Sequence, residues 1–319
     1  MKDFRGKLAV ITGAGTGIGR ELALQLAAAG AHVAICDVFD DTLADAKAAI
    51  QAAAVSGVRV SAHRCDVADE AQVLAFRDAV LREHSTDHVE LLFNNAGVGG
   101  GGSFIKDARV TWERTFNVCW FGVYYCTRAF LPLLIASKEA CLINTSSING
   151  IFAVDRNGPH TAYCSAKFAV KGFSEALITD LRVNAPHVSI VLVMPGHIGT
   201  SIVANTLRTQ GIKQPRDMTG EEVVGLRLWL GARGTNVDQL SDDQVRDIVQ
   251  KNFDSFRDNA PLSGAQAAEQ ILEAVRTGKW RLLVGEDAKF LDREAREHPD
   301  ELYDPQFLEQ LRARVPRKA

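Results

Sequence analysis

The chain of 319 residues is 46% hydrophobic and 24% charged with a net charge of −3, the composition of a globular protein large enough to bury a sizeable core. That balance builds no basic nucleic-acid surface, and no apolar stretch approaches the roughly 20 residues of a membrane span. Six cysteines without CxxC or metal-ligand spacing and eight scattered histidines predict no metal site, and the cysteines read as buried free thiols.

In chain order, Leu8-Ala9-Val10-Ile11 reads as a buried first strand. Met1 to Lys7 runs directly into it, so no signal peptide is expected and the expected setting is cytoplasmic. Thr12-Gly13-Ala14-Gly15-Thr16-Gly17-Ile18-Gly19 follows, and Arg20 to Ala29 has helix-forming composition up to Gly30. Strand, glycine-rich turn and helix is the context in which N–H groups at a helix N-terminus meet a pyrophosphate. A second strand, His32 to Cys36, ends at Asp37, whose carboxylate can accept hydrogen bonds from an adenosine ribose. A helix over Asp41 to Ala54 leads to a third strand, Val58 to Cys65, ending at Asp66-Val67. After a helix over Asp69 to His84, Val89 to Phe93 is a fourth strand running into Asn94-Asn95-Ala96-Gly97. The glycines from Gly99 to Gly102 form a loop, and a long helix covers Thr111 to Ile135. Ala140 to Thr145 is a fifth strand leading into Ser146-Ser147; the helix that carries Lys167 runs to Val183; Val188 to Val193 is a sixth strand ending in Pro195-Gly196.

Residues 201–262 carry no strand signal, only helical patches at Gly220 to Leu230 and Ser241 to Phe256, and are expected to form a substrate lid. A helix at Ala265 to Arg276 and a last strand at Arg281 to Gly285 precede a charged tail, 286–319, expected to be partly helical on the surface. The alternation predicts an α/β fold in one domain spanning 1–319: a doubly wound parallel sheet of about seven strands with helices on both faces.

Tyr163-Cys164-Ser165-Ala166-Lys167 adds chemistry to this frame. Tyr163 and Lys167 sit one helical turn apart on one face. A phenol with a reference pKa of about 10 is a poor proton donor or acceptor at neutral pH. A neighbouring ammonium favours the phenolate and brings it into range. A serine hydroxyl alongside can hold the oxygen that gains or loses the proton.

The ordered set of TGAGTGIG (Thr12 to Gly19), Asp66-Val67, NNAG (Asn94 to Gly97), YCSAK (Tyr163 to Lys167) and PGHIGT (Pro195 to Thr200) resembles the short-chain dehydrogenase/reductase family in its single-domain form. The resemblance covers roughly residues 7–200 and fits again near 265–285. The turn has the family's dehydrogenase spacing, GxxxGxG, and not the GxxGxxG of its epimerase and dehydratase relatives. The resemblance implies a Rossmann-type sheet and hydride transfer between NAD(H) and a secondary alcohol or ketone. It makes Tyr163 the catalytic acid/base and Lys167 its partner, which also reaches the nicotinamide ribose. It makes Ser147 the serine that orients the substrate oxygen, ahead of Ser146. Asn117 matches the family's fourth catalytic residue, which holds a water that relays protons; a satisfied structural Asn is the other reading.

For the cofactor, the resemblance assigns Gly13, Thr16, Gly17, Ile18 and Gly19 to the pyrophosphate and Asp37 to the ribose. Asp66 and Val67 bracket the adenine, and Asn94, Ala96 and Gly97 flank the adenosine side, with Asn94 equally readable as a tie between strands. Pro195, Gly196, Ile198 and Thr200 engage the carboxamide and phosphates. NAD is expected over NADP, because Asp37 repels a 2′-phosphate, Val38 follows it where an arginine would serve NADP, and Thr16 stands where NADP users carry a basic residue. Arg64 and Lys47 are the cations able to approach. A non-catalytic dinucleotide-binding regulator and an NADP-dependent carbonyl reductase are the alternatives.

Two departures bear on substrate: the Ser147–Tyr163 spacing is longer than the family's, the excess lying in Phe152 to His160, and the 201–262 segment is longer than the usual lid. Gly99 to Phe104, Ile148 to Val154, His160, His197, Leu226, Trp229 and Leu230 are the candidate pocket residues, fitting a bulky, largely apolar alcohol or ketone. No nucleic acid or membrane partner is expected. Apolar residues on more than one face of the helices bearing Trp120 and Lys167 predict a homo-oligomer, tetramer or dimer.

Overall fold

In the computed structural model, which describes residues 1–153, 158–231 and 234–316, short runs of β-branched and apolar residues pair side by side into one parallel sheet. Its strands are β1 (Leu8–Thr12), β2 (His32–Asp37), β3 (Val60–Arg64), β4 (Leu91–Asn94), β5 (Ala140–Thr145), β6 (Val188–Pro195) and β7 (Arg281–Val284), in the order β3-β2-β1-β4-β5-β6-β7. The register sets Ile11 beside Ile35 and Phe93, and Asn94 beside Asn144. Because side chains alternate along a strand, Ala9 and Ile11 enter one core while Leu8 and Val10 enter the other.

The first core is roofed by α1 (Gly17–Ala28), α2 (Asp40–Ala53) and a helix late in the chain. The second is roofed by α3 (Glu70–His84), α4 (Arg109–Ala136) and α5 (Thr161–Asn184). All six cysteines are free and buried. The parallel sheet of seven strands and the helices on both faces are those expected from the sequence.

The long helix α4 is interrupted by a π turn over Asn117–Phe121, where Gly122 N–H bonds to Asn117 O. Spanning 28 residues, α4 is long and apolar enough by composition to cross a membrane, which corrects the expectation that no segment would be. Half of that apolar window is buried within the fold, where it packs under the sheet as a core helix.

Beyond β6 the chain is more structured than expected. A helix, α6 (Ile202–Thr209), precedes α7 (Gly220–Gly231) and α8 (Asp242–Asp258). The α7–α8 pair has its own small core of Met218, Val223, Leu230, Val245 and Val249. A two-residue ribbon, Ile198–Gly199 beside Leu262–Ser263, closes the segment onto α9 (Gly264–Thr277), the late helix of the first core, which starts in a capping box from Ser263 and Gln266.

The tail is not a surface appendage. Helices α10 (Glu286–Glu297) and α11 (Pro305–Arg314) bury Phe290, Leu302, Leu311 and Val315 together with Phe152 from the loop after β5. They also bury three carboxylates. Asp292 pairs with Arg281 and Arg296, Glu294 with Arg314 at 2.8 Å, and Asp287 takes a backbone N–H described below. Charge in the sequence suggested solvent here; partners on neighbouring elements explain the burial.

Candidate active site

The strand order turns back on itself between β1 and β4, and ligands of open α/β sheets bind beyond the carboxyl ends of the strands at such a point. The loops leaving β1, β4, β5 and β6 meet there. Gly13 has φ +64°, and a Cβ on it would stand 2.6 Å from Ala96 Cα, so only glycine lets the turn after β1 lie against the exit of β4. Thr12 Oγ1 donates to Phe93 O at 3.3 Å and accepts the N–H groups of Asn95 and Ala96, each at 3.0 Å. Asn95 Nδ2 returns hydrogen bonds to Thr12 O and Gly13 O. Asn95 and Thr12 were not singled out in the sequence, although NNAG contains the first.

Helix α1 starts at Gly17 without a side-chain cap, because the Thr16 hydroxyl accepts from Asn205 Nδ2 at 2.8 Å instead. An uncapped helix start under a glycine turn is a seat for an anion. Thr200 lies against this turn: a Cβ on Gly17 would be 3.2 Å from its Cγ2. The Asp37 carboxylate accepts from the N–H groups of Gly15 (2.9 Å), Val38 (2.7 Å) and Phe39 (3.4 Å). Burial pushes its pKa up, opposed by those three N–H groups and by the Arg208 guanidinium. A pyrophosphate seat with an acidic group beyond it fits the phosphates and ribose of a dinucleotide.

The remaining cofactor-side residues divide. Asp66 Oδ2 pairs with Arg114 at 2.6 Å and its Oδ1 takes Ala68 N–H, while Val67 is buried against Gly122 of α4. Arg64 faces Asp40 at 3.8 Å, and Lys47 acts on His63 rather than on Asp37. Asn94 is 2% exposed, and its Nδ2 donates to Thr127 Oγ1 and Asn144 Oδ1, both at 2.9 Å. Asn144 in turn donates to Ser174 Oγ at 3.0 Å. Of its two sequence readings, Asn94 therefore has the geometry of the interior tie joining β4, β5, α4 and α5.

At the end of β5 the two serines separate cleanly. Ser146 Oγ donates to Lys167 O at 2.7 Å, clamping the loop to α5. Ser147 Oγ makes no such bond: it accepts Asn149 N–H at 3.2 Å and makes a long 3.5 Å contact to Pro195 O. Lys167 is 2% exposed; its Nζ donates to Thr145 O at 2.8 Å and sits 5.5 Å from the centre of the Tyr163 ring. Burial lowers the pKa of this ammonium, partly offset by Cys119. A Cβ at Gly97 would lie 3.6 Å from Lys167 Nζ. Asn117 begins the π turn, half-buried, with no side-chain hydrogen bond among the described residues.

The expected substrate-side residues scatter. His160 stacks on Tyr163 at 4.7 Å. His197 is tied into the fold: its backbone N–H donates to Asp287 Oδ2 at 2.7 Å, its Nε2 lies 2.7 Å from Phe256 O, and its ring packs on Phe256 at 4.3 Å. Leu230 is a core residue of the α7–α8 pair, packed there with Leu226 and Trp229, and Phe104 is 74% exposed. Val154 lies outside the described residues. The tail reaches this side, because Ala153 N–H donates to Tyr303 Oη at 3.3 Å and Phe152 stacks on the Tyr303 ring.

The sequence pattern of the short chain dehydrogenase family matches residues 7–211. A protein of Mycobacterium tuberculosis named as an oxidoreductase, SadH, is 36% identical over 296 residues, covering 93% of this chain and 92% of that one. The chain belongs to the short-chain dehydrogenase/reductase family. It is an NAD(P)-dependent oxidoreductase of that family. Mouse epidermal retinol dehydrogenase 2 is 34% identical over 202 residues, 63% of each chain. A short-chain dehydrogenase/reductase from Burkholderia phymatum, solved with NAD, superposes with a TM-score of 0.75 at 28% identity, covering 96% of this chain and 98% of that one. A metagenomic short-chain oxidoreductase solved with NADP has a TM-score of 0.54 at 33% identity over 60% of this chain and 83% of its own.

Proposed function

We propose that this short-chain dehydrogenase/reductase interconverts a secondary alcohol and a ketone, bulky and largely apolar, using NAD(H) in preference to NADP(H). The observation that carries the chemistry is the buried Lys167 ammonium, held by Thr145 O and set 5.5 Å from the Tyr163 ring. A fixed positive charge at that distance favours the Tyr163 phenolate, so Tyr163 can take the hydroxyl proton during oxidation and return it during reduction. Ser147, with its hydroxyl free of the clamp that occupies Ser146, orients the substrate oxygen. Asn117, at the π turn and with an amide that makes no hydrogen bond among the described residues, holds the water through which Lys167 exchanges protons with solvent. Gly13, Gly17 and Gly19 with Thr16 and Ile18 seat the pyrophosphate, Asp37 the ribose, and Pro195 to Thr200 the nicotinamide end. The bound dinucleotide supplies or accepts the hydride.

The NAD preference rests on Asp37, whose carboxylate stands where a 2′-phosphate would be repelled. The apolar substrate class rests on the departures of the Phe152 to His160 loop and the 201–262 segment, together with the likeness to a retinol dehydrogenase. One domain spans 1–319, with 201–262 as lid and 286–319 as tail. The outer face of α5 leaves Phe168, Gly172 and Ala176 exposed, uncovered by the described residues of the lid and the tail, which supports pairing with a second copy. The protein acts in the cytoplasm on a small-molecule substrate. NADH and NADPH oxidation against a panel of aliphatic, aryl, terpenoid and steroid ketones tests the function; absence of turnover with every ketone, despite dinucleotide binding, would favour a non-catalytic regulator. Light scattering tests the assembly: a mass of 34.7 kDa in dilute solution would reject it.

A further inference from the structure

Helix α6 makes a side-chain hydrogen bond to each of three walls of the dinucleotide cleft. Asn205 Nδ2 donates to Thr16 Oγ1 on the glycine-rich turn at 2.8 Å. Gly99 N–H, on the loop after β4, donates to Thr206 Oγ1 at 2.7 Å. Arg208 Nη2 donates to Asp41 Oδ1 at the start of α2, also at 2.8 Å, and the guanidinium lies 4.0 Å from the centre of the Phe39 ring. The helix is thus a strap across the cleft. Thr16 and the Phe39–Asp41 corner are the two places that flank the adenosine ribose when Asp37 receives it. The strap leaves a cation at that spot.

The charges there are Asp37, Asp40 and Asp41 against Arg208 and, from the β3 side, Arg64, which faces Asp40 at 3.8 Å. Asp37 is already engaged by three backbone N–H groups, which spread part of its charge. Arg208 gives Asp41 one of its five donors, and a planar guanidinium matches a phosphate in geometry. The surface pair with Asp41 is weak in itself, both partners being well exposed, so the guanidinium can turn to a stronger anion at low cost.

We propose that Arg208 is a specificity-determining residue for the cofactor: carried on the strap, it meets the 2′-phosphate of NADPH, so that the chain accepts NADPH beside NADH despite Asp37. The inference rests on the proposed dinucleotide-dependent function and sharpens it. No sequence motif announces it, since the guanidinium comes from 167 residues beyond Asp41.

The test is titration of the full-length protein with NADH and with NADPH, read by nucleotide fluorescence and needing no substrate. Arg208→Ala is expected to weaken NADPH about 10-fold or more, the scale of a lost hydrogen bond to a charged group, and NADH less than about 3-fold. Arg208→Gln, which keeps the stem and loses the charge, should behave alike, and Arg208→Lys should restore part of the NADPH affinity. Asn205→Ala loosens the strap without removing the cation and should shift both dinucleotides by one common factor. Equal losses for NADH and NADPH in Arg208→Ala, no loss in either, or a wild type that binds NADH but not NADPH would each overturn the role of Arg208 while leaving the oxidoreductase function intact. A wild type that binds neither dinucleotide would overturn that function, and this inference with it.

Discussion

Gly19→Ala puts the geometry of the cofactor seat to a direct test. A Cβ at Gly19 would point at Gly13 O, stand 2.6 Å from Asn95 Nδ2 and 3.0 Å from Ala14 Cα, against the 3.4 Å at which ordinary contact begins. None of these neighbours is free to yield. Asn95 Nδ2 is held by Thr12 O at 3.1 Å and Gly13 O at 3.3 Å, and Ala14 N–H bonds to Cys36 O at 3.1 Å. Gly13 is already pressed on Ala96. The helix α1 must therefore retreat from the turn by at least ~0.8 Å, an overpacking strain of roughly 1–3 kcal/mol. For a chain of this size each kcal/mol lowers Tm by about 1–2 °C. A displacement of that order in the anion seat should weaken NADH binding by at least about tenfold. The assay is thermal unfolding with and without NADH, alongside Gly225→Ala as a control. Gly225 sits in exposed α7 with nothing within 4 Å of its Cβ position, so alanine there should hold or raise Tm by helix propensity worth about 1 kcal/mol. A Gly19→Ala protein that melts within about 1 °C of wild type and binds NADH equally well would refute the packing derived for this turn.

The two serines should part company: Ser147→Ala is expected to lower kcat about 100-fold, the loss of one positioned donor, while Ser146→Ala costs about 1 kcal/mol of stability and leaves kcat within about threefold. Steady-state kinetics with any ketone found in the panel decides it, and the reverse order would contradict the serine assignment. Stability should fall with acid through His84, which is 2% exposed and bonded to Ser61 Oγ at 2.8 Å. Burial, aided by Arg59 and the neighbouring histidines, lowers its pKa from 6.5 to about 4. The unfolded chain therefore binds the proton first, so the stabilisation is complete above pH 6.5 and is lost, by about 3 kcal/mol, as pH falls towards 4. His32 and His63 are lowered by burial too and act in the same direction. Urea unfolding at pH 7.5 and pH 5 should show the drop for wild type, and a smaller one for His84→Gln.

The parts of the molecule legible in the sequence are those written in local pattern. The apolar runs of β1 to β6, the turn from Thr12 to Gly19 and the Tyr163–Lys167 pair declare themselves within a few residues, because strand burial and helical phase are short-range properties. The expectation of Ser147 ahead of Ser146 comes only from the family resemblance, and the difference in their bonding, Ser146 Oγ donating to Lys167 O, is tertiary. The π turn at Asn117 depends on which carbonyl Gly122 N–H selects, a choice the composition of α4 does not encode. What stayed hidden depends on distant partners. His197, in the sequence either a pocket contact or a loop histidine without a role, owes its bonds to the distant Phe256 and Asp287. The charged tail read as lying on the surface; Arg281, Arg296 and Arg314 neutralise two of its buried carboxylates, Asp292 and Glu294, and Phe152 joins its core. Helix α6 is too short and too mixed in composition to stand out at all.

The measurement that tests the central claim most directly is Tyr163→Phe, followed by NADH binding and by ketone reduction. The ring that packs on His160 and under Lys167 is kept, so the fold and the NADH affinity should remain near wild type. The hydroxyl that moves the proton is gone, so kcat should fall by about 100-fold or more. A Tyr163→Phe protein that binds NADH normally and keeps more than about a tenth of wild-type kcat would contradict the assignment of Tyr163 as the acid/base.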